Sequence, residues 1–388
     1  MTRRVAGLVV IALLAGCGKN SDNSPLPPRA NVVAVSIGNS SVCNIVNQVC
    51  AAVTVCQPAT SNCQVVADLL VDTGSFGIRI FRSAIPSSIP LTQITDAQGQ
   101  IGECAFFFDG TAFWGAVQVA DIRLGGEPAV TVPIQVIDAS FAGQNASSNP
   151  CQTAVETSPA GARFKGILGI GLLQYDCGLS CVNSPSNLYF SCSGSTCNAT
   201  SVGLAQQVKN PIPLLPVDNN GMVMQLPAVP DTGAGSATGA LILGIGTASN
   251  NTPASSVTMF KADNNGNFTT TFEGASDGQS FIDSGSNALF FPSTTLPVCS
   301  GSLQSFYCPT STASLSATVM GNNGTQGVVG FQIANTKNLV STGNSTFGNL
   351  GGGGSNFDWG LPFFLGRTVY IGIENQNSSL GVGPYWAF

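Results

Sequence analysis

The chain has 388 residues, of which 8% are charged, 46 are glycine and 13 are cysteine, with a formal net charge of −6, a sequence pI of about 4.5 and no histidine. That length exceeds one ordinary core and suggests two lobes of roughly 150–180 residues, while scarce charge with abundant Gly, Ser, Thr and Asn favours short strands and tight turns over helices. Thinly spread Lys and Arg form no basic stripe for a phosphate backbone, and the lack of histidine removes Ser-His-Asp, Cys-His and His-ligated metal chemistry, so neither nucleic acid nor a metal or other cofactor is expected.

At the N-terminus, Arg3 and Arg4 precede the apolar run Val5–Leu14 and then Leu14-Ala15-Gly16-Cys17, the positive, apolar, small-residue order of a cleaved export signal. A run this short cannot cross a hydrocarbon core of about 30 Å. The segment resembles a bacterial lipoprotein signal. That resemblance implies loss of residues 1–16, acylation of Cys17 and attachment to a membrane of the bacterial cell envelope, with Gly18 in the next position leaning toward the outer membrane. Residues 17–31, polar and containing proline, read as a tether. The other twelve cysteines are an even number in an oxidising compartment. Close spacing favours the pairs Cys177–Cys181, Cys192–Cys197 and Cys299–Cys308; the remaining connectivity is open.

Further along, Val65–Val71 reads as a strand running into Asp72-Thr73-Gly74-Ser75, and Phe281-Ile282 leads into Asp283-Ser284-Gly285-Ser286 before a second apolar run. Two carboxyls held together in a shielded cleft cannot both ionise, so one proton is shared and one group serves as base while the other serves as acid. Such a site needs an Asp at the end of a buried strand, a Gly next to it for a sharp turn, and neighbouring hydroxyls to orient the carboxyl. Both segments satisfy this. A third copy, Asp231-Thr232-Gly233, follows Val229-Pro230 and has no strand leading in, so it reads as a loop.

These two segments resemble the paired catalytic motifs of pepsin-like aspartic peptidases. The likeness continues in "FFFDGTAFWGAVQVADIRLGG" at 106–126, similar to that family's flap hairpin, with Phe107, Phe108, Asp109 and Gly110 at the flap. "GILGIG" at 166–171 is similar to the segment crossing the first active-site loop, "TGALILGIG" at 238–246 to the strand opening the second half, and "WGLPFFLGRTVYIGIENQNSSLGVGPYWAF" at 359–388 to the closing strands, with Gly360 and Gly366 as alternative equivalents of one family glycine. The chain also looks like a group of bacterial lipoproteins carrying "DNNG", "SFIDSGSN" and "WGLPFF". The resemblance implies an all-β, two-lobed β-barrel architecture with a central cleft, the lobes spanning 32–200 and 201–388. It implies Asp72 and Asp283 as the dyad holding a water, Ser75 and Ser286 bonded to the outer carboxyl oxygens, Thr73 and Ser284 bracing the loops, and a monomer that hydrolyses peptide or protein substrates at acidic pH. Two departures stand out: the flap has Phe where the family usually has Tyr, and Arg79 takes the place of a Trp. The missing tyrosine, with a periplasmic pH near neutral at which a shared proton is easily lost, favours an alternative, a non-catalytic binding or structural module of the envelope on the same scaffold.

The residues also support plainer readings. "DNNG" at 218–221 and 263–266 reads as hairpin turns rather than calcium loops, Gly351–Gly354 as a flexible loop, and the aromatic groups Phe106–Phe108, Phe290-Phe291 and Phe363-Phe364 as core strands.

Overall fold

In the computed structural model, which describes residues 30–388, strands account for 42% of the described residues and helices for 8%, so the all-β expectation holds. The export signal, Cys17 and nearly all of the tether lie outside the described residues. The strands form two main sheets. The larger, of sixteen strands, includes β1 (Val32–Ile37), β2 (Val49–Cys56), β3 (Cys63–Asp72), β4 (Phe76–Phe81), β5 (Gln100–Phe106), β6 (Ala112–Arg123), β7 (Val130–Ile137), β8 (Gly166–Ile170), β9 (Gly221–Gln225) and β10 (Ala237–Leu243). The smaller, of seven, comprises β11 (Phe268–Phe272), β12 (Ala275–Ile282), β13 (Leu289–Phe290), β14 (Ala313–Met320), β15 (Gln326–Ile333), β16 (Gly351–Gly352) and β17 (Asp358–Trp359). The chain then returns to the larger sheet through β18 (Thr368–Gly372) and β19 (Tyr385–Ala387).

Within the larger sheet, β2, β3, β8, β4, β7 and β6 pair in that order and β6 pairs back to β2, which closes a barrel-like ring with no free edge. Its interior is filled by fully buried Val55, Leu69, Val71, Ile80, Ile122 and Ile134, the β-branched and aliphatic residues that suit a pleated surface. β10 is the strand read from "TGALILGIG". It pairs with both β1 and β9, so β9, not β10, is the first strand after residue 200.

All twelve cysteines among the described residues pair. The three local bridges read from spacing form, and Cys43–Cys50, Cys56–Cys63 and Cys104–Cys151 complete the set.

Three local readings are corrected. Asp218–Gly221 is not a hairpin turn: Asn220 donates to Ile245 O at 3.0 Å and accepts from its N–H at 2.8 Å, and Asp218 accepts from the Thr247 hydroxyl. Asp263–Gly266 does turn, closed by Gly266 N to Asp263 O at 3.1 Å, but it does not join paired strands. Gly351 and Gly352 are no flexible loop; they form β16, buried beside β13, where a Cβ on Gly351 would meet the Ile333 side chain at 2.4 Å. Phe291, Phe363 and Phe364 are core, although the last two lie in a 3-10 turn and its end. Phe106 and Phe108 are not core, being 52% and 98% exposed, the first at the end of β5 and the second in the turn that follows.

Candidate active site

The site is built from one backbone device used twice. In the first instance β3 enters, residues 73–75 turn, β4 leaves, and β8 inserts between them, parallel to β3 and antiparallel to β4. In the second, β12 enters, residues 284–288 turn, β13 leaves, and β17 inserts with the same two senses. The register matches as well. Asp72 lies opposite Gly169, and Ile282 opposite Trp359 carries Asp283 to the level of Gly360. Gly360 therefore, not Gly366, is the counterpart of Gly169. Neither position has room for a side chain: a Cβ would meet Gly77 O at 2.6 Å at Gly169 and Ala288 O at 2.0 Å at Gly360.

The turns cross-brace each other. Thr73 Oγ1 donates to Ile282 O at 3.1 Å and accepts from Ser284 N at 2.9 Å; Ser284 Oγ donates to Val71 O at 2.7 Å and accepts from Thr73 N at 3.2 Å. Both side chains are buried, so each bond replaces a costly orphaned group. These bonds hold the carboxyls of Asp72 and Asp283 within hydrogen-bond contact of each other. The Gly74 N–H reaches Asp72 Oδ1 at 2.9 Å and Asp283 Oδ1 at 3.1 Å, and Gly285 N donates to Asp283 Oδ1 at 2.7 Å. Ser75 Oγ donates to Asp72 Oδ2 at 2.5 Å and Ser286 Oγ to Asp283 Oδ2 at 2.9 Å. A Cβ on Gly74 would lie 2.7 Å from Asp283 Cγ, and one on Gly285 2.8 Å from Asp72 Oδ1, so only glycine lets each turn approach the opposite carboxyl.

Enclosure pushes the Asp283 carboxyl well above the usual range, and the charges of Asp72 and Asp358 push the same way. Two carboxyls in contact, one of them holding its proton, are equipped for combined acid and base work on a small nucleophile such as water.

The hairpin of β5 and β6 has Phe107–Thr111 at its tip, closed by Phe107 N to Thr111 O at 2.9 Å and Gly110 N to Phe107 O at 3.0 Å, with Asp109 Oδ1 accepting from Thr111 N at 2.8 Å. Phe107 packs edge-on against Phe113, while the exposed ring of Phe108 stacks with Phe281, two residues before Asp283, at a centroid distance of 5.9 Å. The tip residues read from the sequence thus belong to a hairpin that reaches the strand carrying the second aspartate. The third Asp-Thr-Gly, at 231–233, is a loop, in which Asn349 Nδ2 donates to Asp231 O at 2.9 Å.

Sequence reasoning missed two features. One is a buried network around Arg79, whose Nη2 lies 2.6 Å from Glu103 Oε1 and 3.1 Å from Asp176 Oδ2, with Nη1 donating to Phe76 O at 3.0 Å. Tyr189 donates to Asp176 at 2.7 Å. With two carboxyls for one guanidinium, burial and the charge of Glu103 hold the Asp176 carboxyl well above its ordinary value. The other is Asp358 on β17, buried, with Oδ1 lacking any hydrogen-bond partner and with Ser286 and Asp72 as its polar surroundings. A lone charge set in "NFDWGLPFF", within a chain so poor in charge, was the available signal.

The chain belongs to the family described as Protein of unknown function (DUF3443), which matches residues 27–388. No curated protein matches it.

Proposed function

We propose that the chain is an exported, lipid-anchored aspartic endopeptidase with a pepsin-like, two-lobed architecture, acting in the bacterial cell envelope. The observation that carries this reading is the pairing of Asp72 and Asp283, each with a serine on its outer oxygen and a glycine amide on its inner one, cross-braced by Thr73 and Ser284. A water between the carboxyls loses a proton to ionised Asp72 as its oxygen attacks a peptide carbonyl carbon, and protonated Asp283 gives its proton to the carbonyl oxygen. The resulting diol collapses as one of its hydroxyls returns a proton to Asp283, the C–N bond breaks, and the amine nitrogen leaves with the proton taken up by Asp72. The duplicated strand–turn–strand device supports lobes at 32–200 and 201–388, and the export motif ending in Cys17 supports the lipid anchor and a place in the outer membrane.

A second reading, a binding module on the same scaffold, draws on one observation: the hairpin tip presents the apolar ring of Phe108 and no tyrosine hydroxyl. One experiment separates the two. The full chain, in detergent and with its disulfides intact, is incubated with a mixed peptide library from acidic to neutral pH beside Asp72→Asn and Asp283→Asn. Cleavage by the parent that falls at least about a thousandfold in either variant supports the peptidase. A folded parent that cleaves nothing overturns it in favour of the binding module.

A further inference from the structure

We propose that Asp358 is a third carboxyl of this site, a positioning residue whose charge, once it ionises, opposes loss of the proton held by the Asp72/Asp283 pair. The register is the first support. Asp358 pairs with Phe281 in parallel and with Phe290 in antiparallel sense, so its side chain emerges on the face of the sheet that carries Phe281 and, two residues on, Asp283. That is the face on which Phe108 of the hairpin tip stacks against Phe281. Trp359, next in sequence, points the other way, into the core, where its Nε1 donates to Thr270 Oγ1 at 3.1 Å.

The second support is the internal comparison. The equivalent position in the first half, flanked by Leu70 and Arg79, is Ile167, buried in an apolar cluster with Phe81, Phe113 and Phe164. The strand device therefore closes without a carboxyl at this place, and Asp358 is not demanded by the fold. Burying it without a partner for Oδ1 works against stability.

The third is the hydrogen-bond logic. The Ser286 hydroxyl has one proton and gives it to Asp283 Oδ2. Its contact with Asp358 eases ionisation of that carboxyl, so Asp283 and Asp358 compete for the one hydroxyl proton. Burial pushes the Asp358 carboxyl up to about 8, with the charge of Asp72 adding to the rise and Ser286 opposing it. When Asp358 does ionise, its charge disfavours loss of the proton from Asp283.

No cation offsets this cluster. From β12, the groups on the side of Asp358 are Asp283 and Asp277, whose Oδ2 accepts from Phe357 N at 2.6 Å; β13 presents Phe290 and the first turn Asp72. The three ion pairs among the described residues lie elsewhere, Arg79 with Glu103 and Asp176, and Lys165 with Asp68.

The consequence for catalysis rests on the peptidase reading, whereas the titration does not, so the test has two arms. The carboxyls of the full chain, labelled with carbon-13 at aspartate, are titrated by NMR in the parent, Asp358→Asn and Asp358→Ile, the last reproducing the counterpart Ile167. Expected is the loss, in both variants, of one carboxyl that titrates near neutral pH, together with a fall of at least about one pH unit, tenfold in proton affinity, for the Asp283 resonance. An Asp283 resonance that does not move in a folded variant overturns the proposal. Should Asp358→Asn not fold, Asp358→Ile carries the same readout. If the parent cleaves peptides, the alkaline limb of kcat/KM moves to lower pH in Asp358→Ile and the acidic limb stays; an unmoved alkaline limb also overturns the proposal. A parent without cleavage removes the peptidase reading while the NMR arm still decides the role of Asp358.

Discussion

The turn after Asp72 and the turn after Asp283 share strand senses, register, a glycine amide on the inner carboxyl oxygen and a serine on the outer one, yet the strand inserted beside them places Ile167 in one and Asp358 in the other. The neighbours of the outgoing strands differ too. Arg79 leaves β4 into a buried ion network, and Phe290, at the matching place in β13, packs on Phe306 at 5.9 Å. The comparison teaches that the backbone device fixes where two carboxyls meet, while residues on the inserted strand set how tightly protons are held there.

The comparison breaks most visibly if the first half is given the second half's carboxyl. Ile167→Asp puts a charge among Leu70, Phe81, Phe113 and Phe164, and is expected to cost about 4 kcal/mol or more at neutral pH. A loss below about 1 kcal/mol in denaturant unfolding would show that the two positions are interchangeable. Next in size, Gly360→Ala is expected to cost about 3 kcal/mol and Gly169→Ala somewhat less, because the added Cβ meets backbone at 2.0 Å in the first case and 2.6 Å in the second. The reverse order in thermal unfolding would contradict the register assigned to Gly360.

Asp358→Ile sharpens the contrast through pH. A carboxyl raised from 3.8 to about 8 in the folded chain binds a proton that the unfolded chain releases, so its contribution is full below about pH 4 and is lost as pH rises toward 8. The variant is therefore expected to gain on the parent as pH rises between these limits, in unfolding curves collected across that range. A gap that stays constant with pH rules this out. The smallest effects concern the cross-brace: Thr73→Val and Ser284→Ala each remove two buried bonds and are expected to cost about 2 kcal/mol. The double variant should lose less than the sum, and full additivity would mean that the two turns are not coupled.

Much of the site was legible because its groups lie within a few residues of one another. Ser75 reaches Asp72 and Ser286 reaches Asp283 across three positions, and Cys177–Cys181 or Cys192–Cys197 close over four or five. The aromatic run Phe106–Phe108 was misread because composition cannot say whether a turn lies inside the barrel or past its rim, and Gly351–Gly354 because four glycines look alike in a loop and in a strand too crowded for any Cβ.

By itself the sequence determined an all-β chain, the two Asp-(Thr/Ser)-Gly-Ser turns and the hairpin tip, since strand propensity, glycine at a turn and hydroxyls beside a carboxyl are local properties. Tertiary structure alone decided that Gly360 matches Gly169, that Arg79 joins Glu103 and Asp176, and that Asp358 stands beside Asp283. Parallel pairing brings together residues far apart in the chain, and a carboxyl's proton affinity depends on which neighbours, charged or apolar, that pairing supplies.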